Sequence, residues 1–248
     1  MSMTHLSVEP AILYLGTPVV LISSINEDGS PNLAPMSSAF WLGWRGMLGF
    51  EAVSKTPNNI VRTGECVLNL PSMDQVDAIN RLSRLTGSNP VPAGEALRGY
   101  RYHADKFGIA AGLTPVASVT VAPPRVLECP IQLEAELARV NPMMTDEYDY
   151  TQHERSAECT LEGIVALEIR IKRVHVVPVL MVKGQPNRID PDRWKPIIMS
   201  FCRYYGLGSE LAVSKLAQIP EEQYRSPDID RASVERLCIA NRDRAAAD

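Results

Sequence analysis

Apolar and polar positions in the first third of the chain predict a β-meander. Residues 17–25 form one apolar run, 31–41 a second and 45–53 a third. Asp28-Gly29 separates the first two, and a tight hairpin turn needs the positive φ that glycine adopts freely. A short helix is expected over 57–63, with Thr56 as its cap, Pro57 in its first turn and Gly64 as its stop. Residues 66–70 read as a buried strand. Ser72 and Gln75 then have the spacing of a capping box, and Met73, Val76, Ile79 and Leu82 recur at helical intervals before Gly87.

Further on, 89–102 carries prolines, glycines and tyrosines without a period, the character of a lid or binding loop, or of a loop that only covers the surface. Residues 104–111 predict a short helix closed by Gly112. In 125–140, Ile131, Leu133, Ala135 and Leu137 alternate with Gln132, Glu134 and Glu136. That alternation predicts a half-buried antiparallel strand whose carboxylates face water, so Glu134 and Glu136 are not read as an acid/base pair. An acidic stretch, 141–162, leads to a long strand at 163–177 with Val165, Leu167, Ile169 and Ile171 on one face. Asp190-Pro191 predicts a helix bearing Trp194, Ile197, Ile198, Phe201 and Tyr205. Ser226-Pro227 opens a final helix. Residues 1–16 read as a leading arm with Ile12, Leu13 and Leu15 turned inward.

Composition narrows the function classes. The 248 residues are 45% hydrophobic, enough for a sizeable core, with a net charge of −4 and a pI near 5.7. Such a balance gives no general attraction to nucleic acid or an anionic membrane. No apolar run reaches the ~20 residues of a membrane span, and MSMTHLSVEP lacks the basic and apolar regions of a secretory leader, so a cytoplasmic protein is expected. The five cysteines are widely spaced with no C-x-x-C pair. That pattern argues against a metal knuckle and for reduced thiols.

The chemistry concentrates at Ser54-Lys55-Thr56-Pro57. A lysine, two hydroxyls and the free N–H groups of a helix start together suit an anion such as phosphate. The same residues also fit a plain helix cap. Ser37-Ser38 supplies a second hydroxyl pair, equally consistent with an ordinary strand or bulge. His103 and Lys106, beside Tyr100 and Tyr102, are candidates for contact with a substrate. His153 and His175 have no partner pattern. Trp41 and Trp44 read as core or subunit interface.

The segments DGSPNLAPMSSAFW, SKTPNNI, RTGECVLNLP, HADKFGIAAGLTP and APPRVLECPIQLEAEL, and more weakly VHVVPVLMVKGQPNRIDPDRW, occur in an order that resembles the flavin reductase-like group of FMN-binding split barrels. The resemblance implies a six-stranded, mostly antiparallel Greek-key barrel with peripheral helices. It implies a flavin reductase-like domain over 1–208 with a lid near 88–103, while residues 209–248, charged and helix-rich, match no motif of the group and read as a helical extension. It implies FMN held at its phosphate and ribityl chain by Ser37, Ser38, Ser54, Lys55 and Thr56. Met36 and Ala39 then lie near the ring, and Asn59 faces the ligand or supports the site. A homodimer is implied, with a small molecule or flavin as substrate. The Gly-Asp-His motif of the group is replaced by Ser156-Ala157-Glu158-Cys159-Thr160-Leu161-Glu162-Gly163, which weakens NADH or NADPH as reductant. The functions implied are an NAD(P)H-dependent flavin reductase, an FMN-dependent oxygenase acting on a small aromatic or metabolite, or a flavin carrier or sensor.

Overall fold

A computed structural model of the protein describes residues 5–143, 163–185 and 187–247. The strands in chain order are β1 (Leu15–Pro18), β2 (Val20–Ile25), β3 (Pro31–Met36), β4 (Ala39–Leu42) and β5 (Arg45–Glu51). Helix α1 (Lys55–Thr63), β6 (Glu65–Leu70), α2 (Val76–Leu82), β7 (Leu85–Thr86), α3 (Ala93–Leu97) and β8 (Arg101–Tyr102) follow. A π-helical turn, Lys106–Ala111, leads to β9 (Pro115–Val116), β10 (Arg125–Val126) and the two long strands β11 (Ile131–Met143) and β12 (Ile164–Val176). The hairpin β13 (Ile197–Ser200) and β14 (Arg203–Gly206) and the helix α4 (Pro227–Ala247) complete the chain.

The main sheet has the order β3-β2-β6-β11-β12-β5-β4, every neighbour antiparallel. Its two edges, β3 and β4, are separated in sequence by Ser37-Ser38 alone. Three Cα steps span at most about 11 Å, so the sheet must curl until its edges nearly meet. The expected strand over 31–41 is therefore broken. Its first half pairs with β2 and its second with β5, and no ladder joins β3 to β4. Counting the two halves as one bent strand gives the six strands of a split barrel.

Val20, Ile22, Leu48, Phe50, Leu68 and Leu167 fill the interior. Each fully buried aliphatic side chain contributes roughly 1.5–3 kcal/mol. A second cluster, with Leu21, Leu33, Ile79, Leu82, Phe107 and Ile197, covers the outer side of β2. Burial on both faces is why 17–25 reads as a continuous apolar run. The hairpin turn is as expected: Gly29 has φ +82° and the Ser30 N–H donates to Asp28 Oδ1 at 2.9 Å. The Ser72 N–H donates to Gln75 Oε1 at 2.8 Å, closing the capping box. Gly112, in the left-handed region, stops the turn that Asp105 caps through the Gly108 and Ile109 N–H groups.

Several expectations fail for identifiable reasons. The helix expected after Asp190 is the hairpin β13–β14, because β1 presents an open edge that β13 pairs with. The apolar spacing over 194–205 suited either structure. Ile12, Leu13 and Leu15 point outward, at 41%, 65% and 71% exposure. Glu134 is not on a wet face: it is fully buried beneath 117–124. The unpatterned stretch 89–102 contains α3 and the two-residue strand β8. His153, Cys159 and the segment 156–162 lie outside the described residues.

Candidate functional site

Helix α1 begins at Lys55, two residues earlier than expected, and its cap position is Ser54 rather than Thr56. Ser54 makes no side-chain cap hydrogen bond. First-turn N–H groups have no intrahelical acceptor, so this helix start keeps its affinity for an anion. Pro57 falls in that turn, where its missing donor costs little. No acidic side chain occupies the first turn.

Beneath the start lies a buried polar cluster. Asn32 Nδ2 donates to Thr56 Oγ1 at 3.1 Å and to Ser24 Oγ at 3.2 Å. Asn59 Nδ2 donates to Ser24 Oγ at 3.1 Å and Asn26 Oδ1 at 2.9 Å. Thr56 and Asn59 thus face inward, tying α1 to the β2–β3 hairpin, and their side chains act as supports. Each such bond adds about 1 kcal/mol net and costs more when one partner is removed. Asn32 Oδ1 is buried without a partner. A Cβ on Gly87 would lie 2.6 Å from it and 3.1 Å from Lys55 Cγ, so glycine is what allows the 86–88 turn to press on this corner.

The rim is polar and already engaged. Lys55 Nζ donates to Glu27 Oε2 at 2.6 Å, with the lysine side chain 18% exposed and the glutamate 57%. That bond holds the Glu27 carboxyl below its usual range. Ser54 Oγ donates to Glu95 Oε1 at 3.1 Å, while Glu95 Oε2 is buried with no partner. Lys106 is 3% exposed, its Nζ 3.5 Å from the Leu85 carbonyl oxygen. Burial pushes its pKa down to about 8, against the pull of the Glu95 carboxylate. Burial, with Glu95 adding to it, pushes the Tyr100 phenol up. His103 Nδ1 is buried without a partner, and the His103 N–H donates to the Thr86 carbonyl at 3.1 Å.

Ser37 and Ser38 form the break between β3 and β4. The Ser38 carbonyl accepts from the Gly49 N–H at 2.8 Å, and β5 runs on from Gly49 towards Ser54. Ser38 is exposed, Ser37 and Met36 half-buried, and Ala39 buried. The hydroxyl of Ser38 lies 3.7 Å from the Met36 sulfur. Trp41 and Trp44 pack against the barrel core. His175 Nε2 is 2.7 Å from Glu134 Oε1, which makes it a support for the 117–124 segment.

Sequence reasoning missed Glu27, Asn32, Gly87 and Glu95. Glu27 lies within the Asp-Gly turn, a cue to its closeness to α1 only once the hairpin is folded. Glu95 lies in the stretch without a period, where nothing in the pattern marked it. The donor set fits a phosphorylated polyol. An uncapped helix start and a partly exposed lysine suit its phosphate, and the exposed serine at the strand break suits its polar chain. Among the described residues no helix is long and apolar enough to cross a membrane, and no cluster of ligands could hold a metal ion.

Comparison with known proteins agrees with this frame. YdfE of Bacillus subtilis (strain 168) is 35% identical over 204 residues, 82% of this chain and 90% of its own. Flavoredoxin of Desulfovibrio vulgaris (Miyazaki F) superposes with a TM-score of 0.65 at 20% identity, covering 88% of this chain and 100% of its own. Nitrilotriacetate monooxygenase component B from Bacillus cereus gives 0.62 at 22% identity, covering 85% and 100%. These two structures share the fold. The flavin reductase like domain matches residues 12–175, from the leading arm to the end of β12, and this chain belongs to that family.

Proposed function

We propose that the protein is an FMN-binding oxidoreductase that takes electrons from NADH or NADPH, with flavin reductase-type chemistry. The observation that carries this reading is the uncapped start of α1, flanked by Lys55, in a chain of the flavin reductase-like family. Lys55 and the first-turn N–H groups hold the phosphate. Ser37, Ser38 and Ser54 bind the ribityl chain, and backbone at Met36 and Ala39 borders the ring. Thr56 and Asn59 hold α1 in place from below. Binding requires Lys55 to exchange the Glu27 carboxylate for the phosphate. The flavin, when bound, supplies the redox chemistry. His103 and Lys106 stand on the 86–106 side, where they face a substrate or the polar edge of the ring.

We further propose a homodimer. Phe40 and Leu42 on the edge strand β4 are 61% and 83% exposed, with Leu15 and Phe201 also open, apolar side chains that a subunit interface would cover. Reduced thiols suit the cytoplasm: Cys66 and Cys129 are buried and Cys202 and Cys238 exposed, all four free.

The test is anaerobic addition of NADH, then NADPH, to purified protein with FMN. Loss of the oxidised flavin absorbance with one of them is expected. A flavin that binds yet stays oxidised with both would defeat the reductase reading.

A further inference from the structure

Glu95 is 4% exposed, and its environment is half-finished. One carboxylate oxygen accepts from the hydroxyl of Ser54, the cap residue of α1. The other has no hydrogen-bond partner although it is buried. An unsatisfied charged acceptor is costly, so such an oxygen implies a donor that arrives from outside the chain. Phosphate oxygens donate nothing and repel a carboxylate. A hydroxyl donates. Lys106 is buried on the same side, and the Glu95 carboxylate attracts its ammonium.

We propose that Glu95 is a specificity-determining residue of the α1 site: its free oxygen accepts a hydrogen bond from a ligand hydroxyl next to the phosphate, selecting polyol phosphates over ligands that lack the polyol. This rests on the flavin-site reading above and adds the group that reads the ribityl arm. A site built around a buried acceptor rejects a ligand without the matching donor far more strongly than an apolar pocket rejects a smaller one.

The experiment measures the affinity of three flavins: FMN, riboflavin, which lacks the phosphate, and lumiflavin, which lacks the whole ribityl arm. Wild-type protein and Glu95→Met are compared. In the variant, FMN and riboflavin should each weaken about tenfold or more, the loss of a hydrogen bond to a charged group, with lumiflavin unchanged. Three flavins weakening together would mean that Glu95 only supports α3, and would overturn the proposal. FMN binding more tightly while riboflavin is unchanged would mean that the carboxylate acts on the phosphate by repulsion, and would also overturn it. A second readout needs no variant: wild-type protein must bind riboflavin at least tenfold more tightly than lumiflavin, and equal affinities refute the assignment. Failure of this pattern in a protein that still binds FMN through Lys55 removes Glu95 alone, whereas a wild-type protein that binds none of the three removes the flavin-site reading with it.

Discussion

Glu134 and Glu95 are both buried, at 0% and 4% exposure, yet their surroundings differ. Glu134 receives the Val119 N–H at 2.8 Å, the N–H and hydroxyl of Thr120, and His175 Nε2 at 2.7 Å, with Arg125 at 3.8 Å. Glu95 receives one hydroxyl and leaves an oxygen unpaired. A buried charge with a full set of donors fixes one segment to another and has nothing left to offer a ligand. A buried charge with an open valence is tolerated because something else completes it. The difference separates the 117–134 side of the barrel, whose buried carboxylate is fully engaged, from the 86–106 side, which we propose as the rim of the site.

The largest expected effect tests the first half of that contrast. Glu134→Ala leaves the Val119 and Thr120 N–H groups and His175 without their acceptor and should cost about 3–5 kcal/mol in denaturant unfolding. Glu95→Gln should cost under about 1 kcal/mol. Equal losses would erase the distinction.

The pH dependence follows from the same contacts. Burial alone would raise the Glu134 pKa, but bonds from His175, Thr120 and Val119 outweigh it and hold the value at about 2, against an ordinary 4.5. The folded value is depressed, so the stabilisation is present above pH 4.5 and is lost as pH falls towards 2. It amounts to about 3 kcal/mol. The acid unfolding curve of Glu134→Ala should lack this component. A variant as acid-sensitive as wild type would contradict the assignment.

Gly87 sharpens the contrast from the rim side. Asn32 is tied to Ser24 and Thr56 and cannot retreat from a new methyl group at 2.6 Å. Gly87→Ala should therefore cost about 1–3 kcal/mol by overpacking, read by thermal unfolding. An unchanged melting curve would show that the 86–88 turn does not press on α1.

The smallest effect concerns Glu27. Its pair with Lys55 is partly exposed, and such pairs are worth about 0.2–1 kcal/mol. Glu27→Gln should tighten FMN up to about fivefold by leaving Lys55 free for the phosphate. Weaker FMN binding would mean that Glu27 positions the lysine rather than competing for it.

The barrel was legible because its strands carry strong local signals. Asp28-Gly29 fixed the first hairpin, and the alternation at 131–137 and 165–171 fixed the long pair. The break at Ser37-Ser38 was not legible. Nothing in two serines says that the strand changes partner there, since that follows from closing the sheet. Residues 190–205 misled because Trp194, Ile197, Ile198, Phe201 and Tyr205 fit a helical period, and only the open edge of β1 decides for a hairpin. Glu134 misled because period-2 alternation reports a face, not what covers it. At the site, Ser54, Lys55 and Thr56 were marked by their helix-start pattern. The inward turn of Thr56 and Asn59, and the partners Glu27 and Glu95, depend on contacts across 24 to 41 residues that no local pattern encodes.

The central claim is that the start of α1 grips a phosphate through Lys55. The most direct measurement is the ratio of FMN to riboflavin affinity in wild type and in Lys55→Ala. Because Thr56 is a buried support, the single variant is cleaner than one that also removes its hydroxyl. Wild type should favour FMN over riboflavin, and that preference should fall about tenfold in Lys55→Ala, the worth of a charge-assisted bond, leaving what the first-turn N–H groups contribute. A ratio that the substitution leaves unchanged would place the phosphate elsewhere and contradict the account.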